Sequence, residues 1–283
     1  MRDALTILHA SDLQCGRPYV PRAAEALIRF ARSLAPDVVV ISGDLTQRAK
    51  AREFRTAADL LRRLPSVPTI VTPGNHDVPV YRVWERALAP YRSWRTGVSP
   101  DLDTVTRVDG ATFVALNSTA PWRAVVGGRI DPRQIDYARE AFAASGSGEV
   151  RALVVHHHFV PTPDGTGGRP LPGAARLVRS FESMHVDFVL GGHVHRTHVR
   201  TSRDLVDGTG EGVPLVACGT TTSRRGRGPE EGANSLNVVR VLPKALEIQP
   251  HLMRGGAEDF VPMDPIVLPR GRAAELARGA RES

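Results

Sequence analysis

The feature that most constrains the fold is a series of short, β-branched apolar runs, each ending in polar residues. Val38 to Ile41 is the plainest case, because four consecutive apolar residues followed at once by Ser42-Gly43-Asp44 are typical of a strand buried on both faces of a parallel sheet. Similar runs and helical apolar spacing alternate around it in chain order: strand Leu5 to Ala10, helix Pro21 to Leu34, helix Ala51 to Leu64 and strand Thr69 to Val71. This order predicts a βαβαβ unit.

The alternation continues to about Gly192 and then changes character. Further strands are predicted at Thr112 to Leu116, Ala152 to Val155 and Phe188 to Leu190, with helices at Pro132 to Ala144 and Ala174 to Ser183. Beyond Gly192, strands near Val199 and at Val213 to Ala217, Leu236 to Val241 and Leu246 to Pro250 follow one another without helices. This pattern predicts a second, mostly antiparallel sheet packed against the first.

The chain has 283 residues, enough to bury one large core without disulfides. We expect one domain over residues 1–254 and a partly irregular tail over 255–283, with a short helix near Ala273 to Arg278. Hydrophobic residues at 41% and charged residues at 24% exclude a disordered or fibrous protein. Cys15 and Cys218 are too few for a disulfide framework and are expected to be reduced thiols.

Charge and hydropathy bear on partners and location. The formal charge of +7 would suit a polyanion, but the arginines are scattered and only 5% of residues are aromatic, so nucleic acid is a disfavoured partner. No apolar run approaches the length of a membrane helix, and the N-terminus lacks the pattern of a signal peptide. We therefore expect a cytoplasmic protein without a membrane partner. Nothing in the pattern indicates an oligomeric state.

Potential metal ligands follow five of the predicted strands. They are Asp12, Asp44, Asn75 with His76 and Asp77, His156 to His158, and His193 with His195. Open α/β sheets place ligands at such strand ends, and a mixture of carboxylate, amide and imidazole suits Mn, Fe or Zn. One carboxylate can bridge two ions about 3.5–4 Å apart. A hydroxide held between two such ions is a nucleophile at neutral pH. Two divalent ions against two aspartates leave a cationic pocket, which favours an anionic phosphoryl substrate.

In order and spacing, these motifs resemble the calcineurin-like metallophosphoesterase superfamily. The matching blocks are Asp12-Leu13-Gln14, Gly43-Asp44, Gly74-Asn75-His76-Asp77, His156 and Gly192-His193-Val194-His195. The resemblance implies an α/β fold, a four-layer α/β/β/α sandwich of two mixed sheets flanked by helices, and a phosphoric ester hydrolase. The flanks Gly43 to Thr46, Gly74 to Val78, Cys218 to Thr220 and Asn234 to Asn237 look most like the class III cyclic-nucleotide phosphodiesterase branch.

The resemblance also implies a role for each matching residue. Two divalent ions would be bound, the first by Asp12 and His195, the second by Asn75, His156 and His193, with Asp44 bridging them. His76 would be catalytic, because it would stabilise charge on the scissile phosphate or protonate the leaving oxygen. Asp77 would orient a neighbouring group. Side chains alternate along a strand, so His156 and His158 share a face; the family spacing favours His156 as the ligand.

Gln14 departs from the family pattern, which has histidine at this position. An amide oxygen binds a hard ion more weakly than imidazole binds its metals and adds no charge, so we expect Gln14 to be a weak ligand of the first ion. The alternatives are a one-metal enzyme and a weakly active scaffold that binds a partner through the same fold. Cys15 could compensate, but its side chain should point away from that of Gln14.

The expected function is hydrolysis of a small phosphodiester by a metal-bound hydroxide, with a 3′,5′-cyclic nucleotide as the first candidate. A nuclease or a nucleotide pyrophosphatase is the alternative on the same site. Arg17, Asn117 and Arg224 are candidate substrate residues; for Arg224, a solvated hairpin loop is the competing interpretation. Trp84, Trp94 and Trp122 are expected to be packing residues and not base-stacking ones.

Overall fold

A computed structural model describes residues 4–123, 126–146, 148–162, 164–165, 167–208 and 210–270. Its strands are β1 (Leu5–Ala10), β2 (Val38–Ile41), β3 (Thr69–Val71), β4 (Thr104–Val108), β5 (Ala111–Leu116), β6 (Val150–Val155), β7 (Phe188–Gly191), β8 (His198–Thr201), β9 (Pro214–Ala217), β10 (Asn234–Val241), β11 (Ala245–Met253), β12 (Val261–Pro262) and β13 (Ile266–Pro269). Its α-helices are α1 (Pro21–Leu34), α2 (Ala51–Arg63), α3 (Val83–Leu88), α4 (Arg92–Gly97), α5 (Pro132–Ala143) and α6 (Ala174–Ser183).

The strands form two mixed sheets. The first has the order β12-β11-β10-β1-β2-β3, with β13 also pairing with β11, and the second has the order β4-β5-β6-β7-β9-β8. Within them β1, β2 and β3 are parallel, as are β5, β6, β7 and β9, whereas β10 and β11 run antiparallel to their neighbours.

The prediction of a separate antiparallel sheet from the strands after Gly192 is wrong. β8 and β9 complete the second sheet beside β7, and β10 joins the first sheet on the free edge of β1. Without β10, the buried backbone of β1 would lack hydrogen-bond partners on that edge, so the late strand belongs with the first strand of the chain.

The layers follow from side-chain alternation in β2 and its neighbours. Val38 and Val40 pack between the sheets against residues such as Phe113 and Phe188, whereas Val39 and Ile41 face the helix layer that contains α1 and α2. The outer face of the second sheet packs against α5 and α6. Both faces of β2 are therefore buried, which explains its uninterrupted apolar sequence and confirms the predicted α/β/β/α sandwich.

The structure also contains elements that the sequence patterns did not indicate. Helices α3 and α4 have only six residues each, too few for a periodic signal. Trp94 in α4 is buried as expected, but Trp84 in α3 and Trp122 are 82% and 67% exposed, so the packing prediction is wrong for these two.

The predicted C-terminal tail is only partly covered by the structure. Its described part contains β12 and β13, which both pair with β11, and the helix predicted near Ala273 to Arg278 lies outside the described residues. The domain boundary at residue 254 stays a prediction. Among the helices that the structure describes, none has the length and apolar character needed to cross a membrane.

Candidate metal centre

The loops after five strands meet at one end of the sandwich and bring the predicted ligands together. Asp12 follows β1, Asp44 follows β2, and Asn75 lies beyond β3, while the second sheet contributes His156 after β6 and then His193 and His195 after β7. Ligand atoms of Asp12, Asp44 and His195 all lie within 4.8 Å of one another and are buried.

The backbone at this edge is strained. Left-handed φ angles occur at Asp12 (51°), Gln14 (48°), Asp44 (53°), His193 (72°) and His195 (58°), which are five of the eight non-glycine residues with positive φ in the described chain. Each such residue costs on the order of 1 kcal/mol or more, so strain of this kind persists only where the surrounding structure imposes it, and it is concentrated at functional sites.

Two motif glycines are required sterically. A Cβ at Gly74 would lie 2.2 Å from Asp44 Oδ1, and one at Gly192 would lie 1.9 Å from Ser11 Oγ and 2.6 Å from Asp12 Oδ2. Any larger residue at either position would displace a carboxylate of the centre.

Asp12 and His195 form the first part of the centre. Asp12 Oδ2 accepts hydrogen bonds from Ser11 Oγ (2.7 Å) and the His193 amide (3.0 Å), while Oδ1 lies 3.1 Å from His195 Nε2. His195 Nδ1 donates to the carbonyl of Arg225 (3.0 Å), so a neutral His195 ring presents the Nε2 lone pair to Asp12. Burial alone would raise the pKa of Asp12, but His195, His156 and Ser11 Oγ together lower it below its usual range.

Asp44 and His156 show the same arrangement. His156 Nδ1 donates to the Ser42 carbonyl (2.7 Å), and Nε2 lies 3.4 Å from Asp44 Oδ1. Burial lowers the pKa of His156, but Asp44 and Asp12 outweigh it and raise that pKa above its ordinary value. Two lone-pair acceptors therefore face each other in both pairs, and only a cation between them, a proton or a metal ion, makes that contact favourable.

The fit of a metal ion can be judged from the buried atoms. Asp12 Oδ1 and His156 Nε2 are buried and have no hydrogen-bond partner among the described residues. Asn75 Oδ1 accepts from His193 Nδ1 (3.0 Å), and burial with neighbouring imidazoles keeps the pKa of His193 well below its ordinary value, so this ring is neutral, as a metal ligand must be. The donor set suits divalent Mn, Fe or Zn.

The three consecutive histidines have different surroundings. His156 faces Asp44, as described above. His157 Nδ1 is bonded to Ser118 Oγ (2.7 Å), and the rings of His157 and His158 lie against the ring of His193, with centroids 4.7 and 5.4 Å away. The structure thus turns His156 toward the centre and uses its two neighbours to support His193.

The Gln14 side chain reaches the centre with its nitrogen. Gln14 Nε2 lies 3.1 Å from His195 Nε2 and 3.4 Å from Asp44 Oδ2, whereas Oε1, the atom that would bind a metal ion, lies 3.4 Å from both Ser223 Oγ and Arg225 Nη1. The adjacent Cys15 is a poor substitute ligand, because burial and nearby carboxylates raise the pKa of its thiol to about 12.

His76 and Asp77 have distinct surroundings beside the centre. His76 Nδ1 donates to the Gln47 carbonyl (2.8 Å), and its Nε2 accepts from Arg225 Nη1 (3.0 Å). Asp77 is buried and accepts four hydrogen bonds from the loops that carry Asp44 and Asn75. Burial and the negative charge of Asp44 raise the pKa of Asp77 to about 7.

A cleft of about 480 Å³ opens over His76 and the metal centre. It is lined by Asp44, Gln47, Arg48, Asn75, His76, Val80, Tyr81, Val126, Gly167, Gly168, His193, His195, Arg225 and Arg227. Three arginines against one carboxylate make it a cationic site for an anionic ligand.

The three candidate substrate residues lie elsewhere. Arg17 and Arg224 are exposed and do not line the cleft, and Asn117 donates from Nδ2 to Tyr91 Oη (3.1 Å) and accepts from Thr119. Arg225 takes the position expected of Arg224, because the backbone bond from Arg224 N to the Pro18 carbonyl fixes this loop so that Arg225 faces the cleft. The sequence from Ser223 to Arg227 predicted an arginine-rich loop, but it did not show which arginine lines the cleft.

The four layers and the ligands at the strand ends define the class to which the protein belongs, that of the metallophosphoesterase fold. The chain belongs to the calcineurin-like phosphoesterase family, whose model matches residues 5–197. No curated protein matches the chain significantly.

Solved structures share the fold at low sequence identity. A purple acid phosphatase from yellow lupin (Lupinus luteus) seeds is 13% identical with a TM-score of 0.73, over 96% of this chain and 55% of its own. A dimetal phosphatase from Danio rerio is 12% identical (TM-score 0.63; 94% and 99%), and GAP50, the anchor in the inner membrane complex of Plasmodium, is 11% identical (TM-score 0.61; 95% and 89%). This chain therefore spans about half the length of the lupin phosphatase chain.

Proposed function

We propose that the protein is a metal-dependent phosphohydrolase that cleaves a small phosphodiester, with a 3′,5′-cyclic nucleotide as the first candidate substrate. The observation that carries the proposal is the pair of buried acceptor contacts, Asp12 Oδ1 to His195 Nε2 and Asp44 Oδ1 to His156 Nε2. Such contacts are costly in a protein interior unless a cation occupies the space between them.

Six side chains would hold two divalent ions of the Mn, Fe or Zn class: Asp12 and His195 the first, Asn75, His156 and His193 the second, with Asp44 shared. When bound, the ions would supply a water of lowered pKa for attack on phosphorus and neutralise charge on the phosphoryl oxygens. With the amide orientation in the structure, Gln14 turns Nε2 and not Oε1 toward His195, so it would offer no ligand atom, and the first ion would have fewer protein ligands than the second.

His76 and Arg225 act on the substrate. The Gln47 carbonyl fixes the Nδ1 hydrogen of His76, so Nε2 is the nitrogen that takes up a proton and delivers it to the leaving oxygen. Arg225 lies beside this nitrogen, and its guanidinium binds the non-bridging phosphoryl oxygens. Asp77 touches no reacting atom; it holds together the loops that bear Asp44 and Asn75.

The phosphodiester assignment rests on the motif flanks that look like the cyclic-nucleotide phosphodiesterase branch, and on a cleft of ligand-pocket size, about 480 Å³. The membership in the calcineurin-like phosphoesterase family supports the reaction class. A cytoplasmic location remains part of the proposal.

The test is hydrolysis of bis(p-nitrophenyl) phosphate and of 3′,5′-cyclic AMP by purified protein with added Mn²⁺. We expect Asp44→Ala and Asn75→Ala to abolish turnover, while Asp136→Asn, an exposed carboxylate on α5, retains it. Turnover that persists in both centre variants would contradict the mechanism. Faster cleavage of a dinucleotide or of single-stranded DNA than of cyclic AMP would instead favour the pyrophosphatase or nuclease alternative.

A second candidate is a binding scaffold, and the orientation of Gln14 favours it. Its amide nitrogen already donates toward His195 and Asp44, so part of the centre is satisfied without a metal ion. One solved neighbour, GAP50, is described as an anchor. Elemental analysis separates the two functions: about two metal equivalents with turnover support the enzyme, one equivalent with turnover supports a one-metal enzyme, and no retained metal without turnover supports the scaffold.

A further inference from the structure

One wall of the cleft is apolar and exposes a large aromatic ring. Tyr81, Val80 and Val126 line this wall, and Tyr81 and Val126 are 73% and 63% exposed. Large apolar groups grouped at a cleft are a feature of ligand-binding surfaces, because most such groups in a monomer would otherwise be buried. The ring of Tyr81 is thus available to a ligand in the cleft.

Arg48 covers one face of the Tyr81 ring. Its guanidinium carbon lies 4.9 Å from the ring centroid, which is a cation–π distance. The two backbone segments are tied together, because Arg82 donates to the carbonyls of Arg48 (3.1 Å) and Ala49 (2.8 Å). A ring that is held on one face and largely exposed on the other is a preorganised surface for stacking a second flat ring.

The stacking surface adjoins the catalytic groups. Gln47, the residue before Arg48, accepts from His76 through its carbonyl and lies 3.5 Å from Arg225 through its side chain. Arg48, which backs Tyr81, thus directly follows the residue that holds His76, and Tyr81 lines the same cleft as His76 and Arg225.

We infer that Tyr81, backed by Arg48, stacks on the base of a nucleotide whose phosphate is bound at His76 and Arg225. This inference rests on the proposed function and narrows its substrate class from phosphodiesters to those that carry an aromatic base. A flat apolar group joined to an anionic one matches a cleft that has an apolar wall and three arginines. Tyr81 would then be a specificity residue and would take no part in the chemistry.

The test compares binding of AMP and ribose 5-phosphate, which has a hydroxyl where AMP has adenine, to the Mn²⁺-supplemented protein by calorimetry. Stacking on an aromatic side chain corresponds to roughly a five- to hundredfold change in affinity per base. We expect wild type to bind AMP more tightly by that factor, Tyr81→Ala to lose the difference, and Tyr81→Phe to keep it. Tyr137→Ala, which removes an aromatic ring on α5 outside the cleft, is the matched control and should behave as wild type.

Equal affinities of wild type for the two ligands, or an equal loss of both in Tyr81→Ala, would overturn the inference. The binding test needs no turnover, so its outcome is separate from that of the proposed function. Diester hydrolysis without a base preference would support the proposed hydrolase and contradict the stacking of a base on Tyr81. Base-dependent binding without hydrolysis would support the stacking and contradict the proposed hydrolase.

Discussion

Asp77 links two loops of the centre by hydrogen bonds, so replacing it should lower both the free energy of unfolding and the rate of hydrolysis. Its carboxylate accepts four hydrogen bonds, from Leu45 N (3.1 Å), Thr46 N (2.8 Å), Thr46 Oγ1 (2.9 Å) and Gly74 N (3.0 Å). Asp77→Ala leaves three buried N–H groups without an acceptor, at about 1–2 kcal/mol each, so the free energy of unfolding should fall by about 3–6 kcal/mol.

Asp77→Asn is the graded variant. With its amide nitrogen at the Oδ1 position, asparagine can donate to Thr46 Oγ1 and loses only the bond from Thr46 N, whereas at the Oδ2 position it loses the bonds from Leu45 N and Gly74 N. In the first orientation one buried N–H is left without an acceptor, so we expect a loss of about 1–2 kcal/mol, smaller than for alanine. Domains of ordinary stability unfold with about 5–15 kcal/mol, so the Asp77→Asn variant should remain folded enough to be measured by urea unfolding in EDTA.

The assay pairs urea unfolding with hydrolysis of bis(p-nitrophenyl) phosphate in Mn²⁺, since displaced loops also misplace Asp44 and Asn75. Asp136→Asn serves as the exposed-carboxylate control. An Asp77→Ala protein within about 1 kcal/mol of wild type would refute the reasoning, because its orphaned amides would then have found other partners.

Two further predictions concern His9 and Arg225. Burial lowers the pKa of His9 from 6.5 to about 3. Between these two pH values His9 is protonated in the unfolded chain but not in the folded protein. The free energy of unfolding therefore falls as the pH falls through this range. From pH 6.5 to 5, wild type should lose about 1.6 kcal/mol more than His9→Gln in metal-free urea unfolding, because the unfolded histidine is already half protonated at pH 6.5. Parallel losses would contradict this. Arg225→Ala should weaken competitive inhibition by inorganic phosphate by roughly tenfold or more, while the exposed Arg224→Ala should not, and equal effects would remove the phosphate role of Arg225.

Much of the fold could be predicted because its signals are local. The apolar run of β2 and the helical spacing of α1 depend only on neighbouring residues, and both elements lie where the sequence indicated them. Which sheet a late strand joins is a different question. The pairing of β10 with β1 is decided by a free edge more than two hundred residues away, which no local pattern reveals.

The centre was foreseeable for the same reason, since parallel strands place their following residues at one edge. The orientation of individual side chains was not. Arg224 and Arg225 are equivalent by sequence, and which of them faces the cleft depends on long-range contacts of the loop, such as those to the Pro18 carbonyl and to His195. The orientation of the Gln14 side-chain amide likewise depends on contacts with Ser223 and Arg225, which lie over two hundred residues later in the sequence.

The position of β1 between β2 and β10 has a consequence for biosynthesis. Leu5 pairs with Val241, so β1 can close its second edge only after more than two hundred further residues have been synthesised. Thr221, which donates to the Ser11 carbonyl just before Asp12, is also translated late. A nascent chain halted before this region would expose an open edge of β1 and lack an anchor of the Asp12 loop, so this edge of the sheet takes its final form late in synthesis.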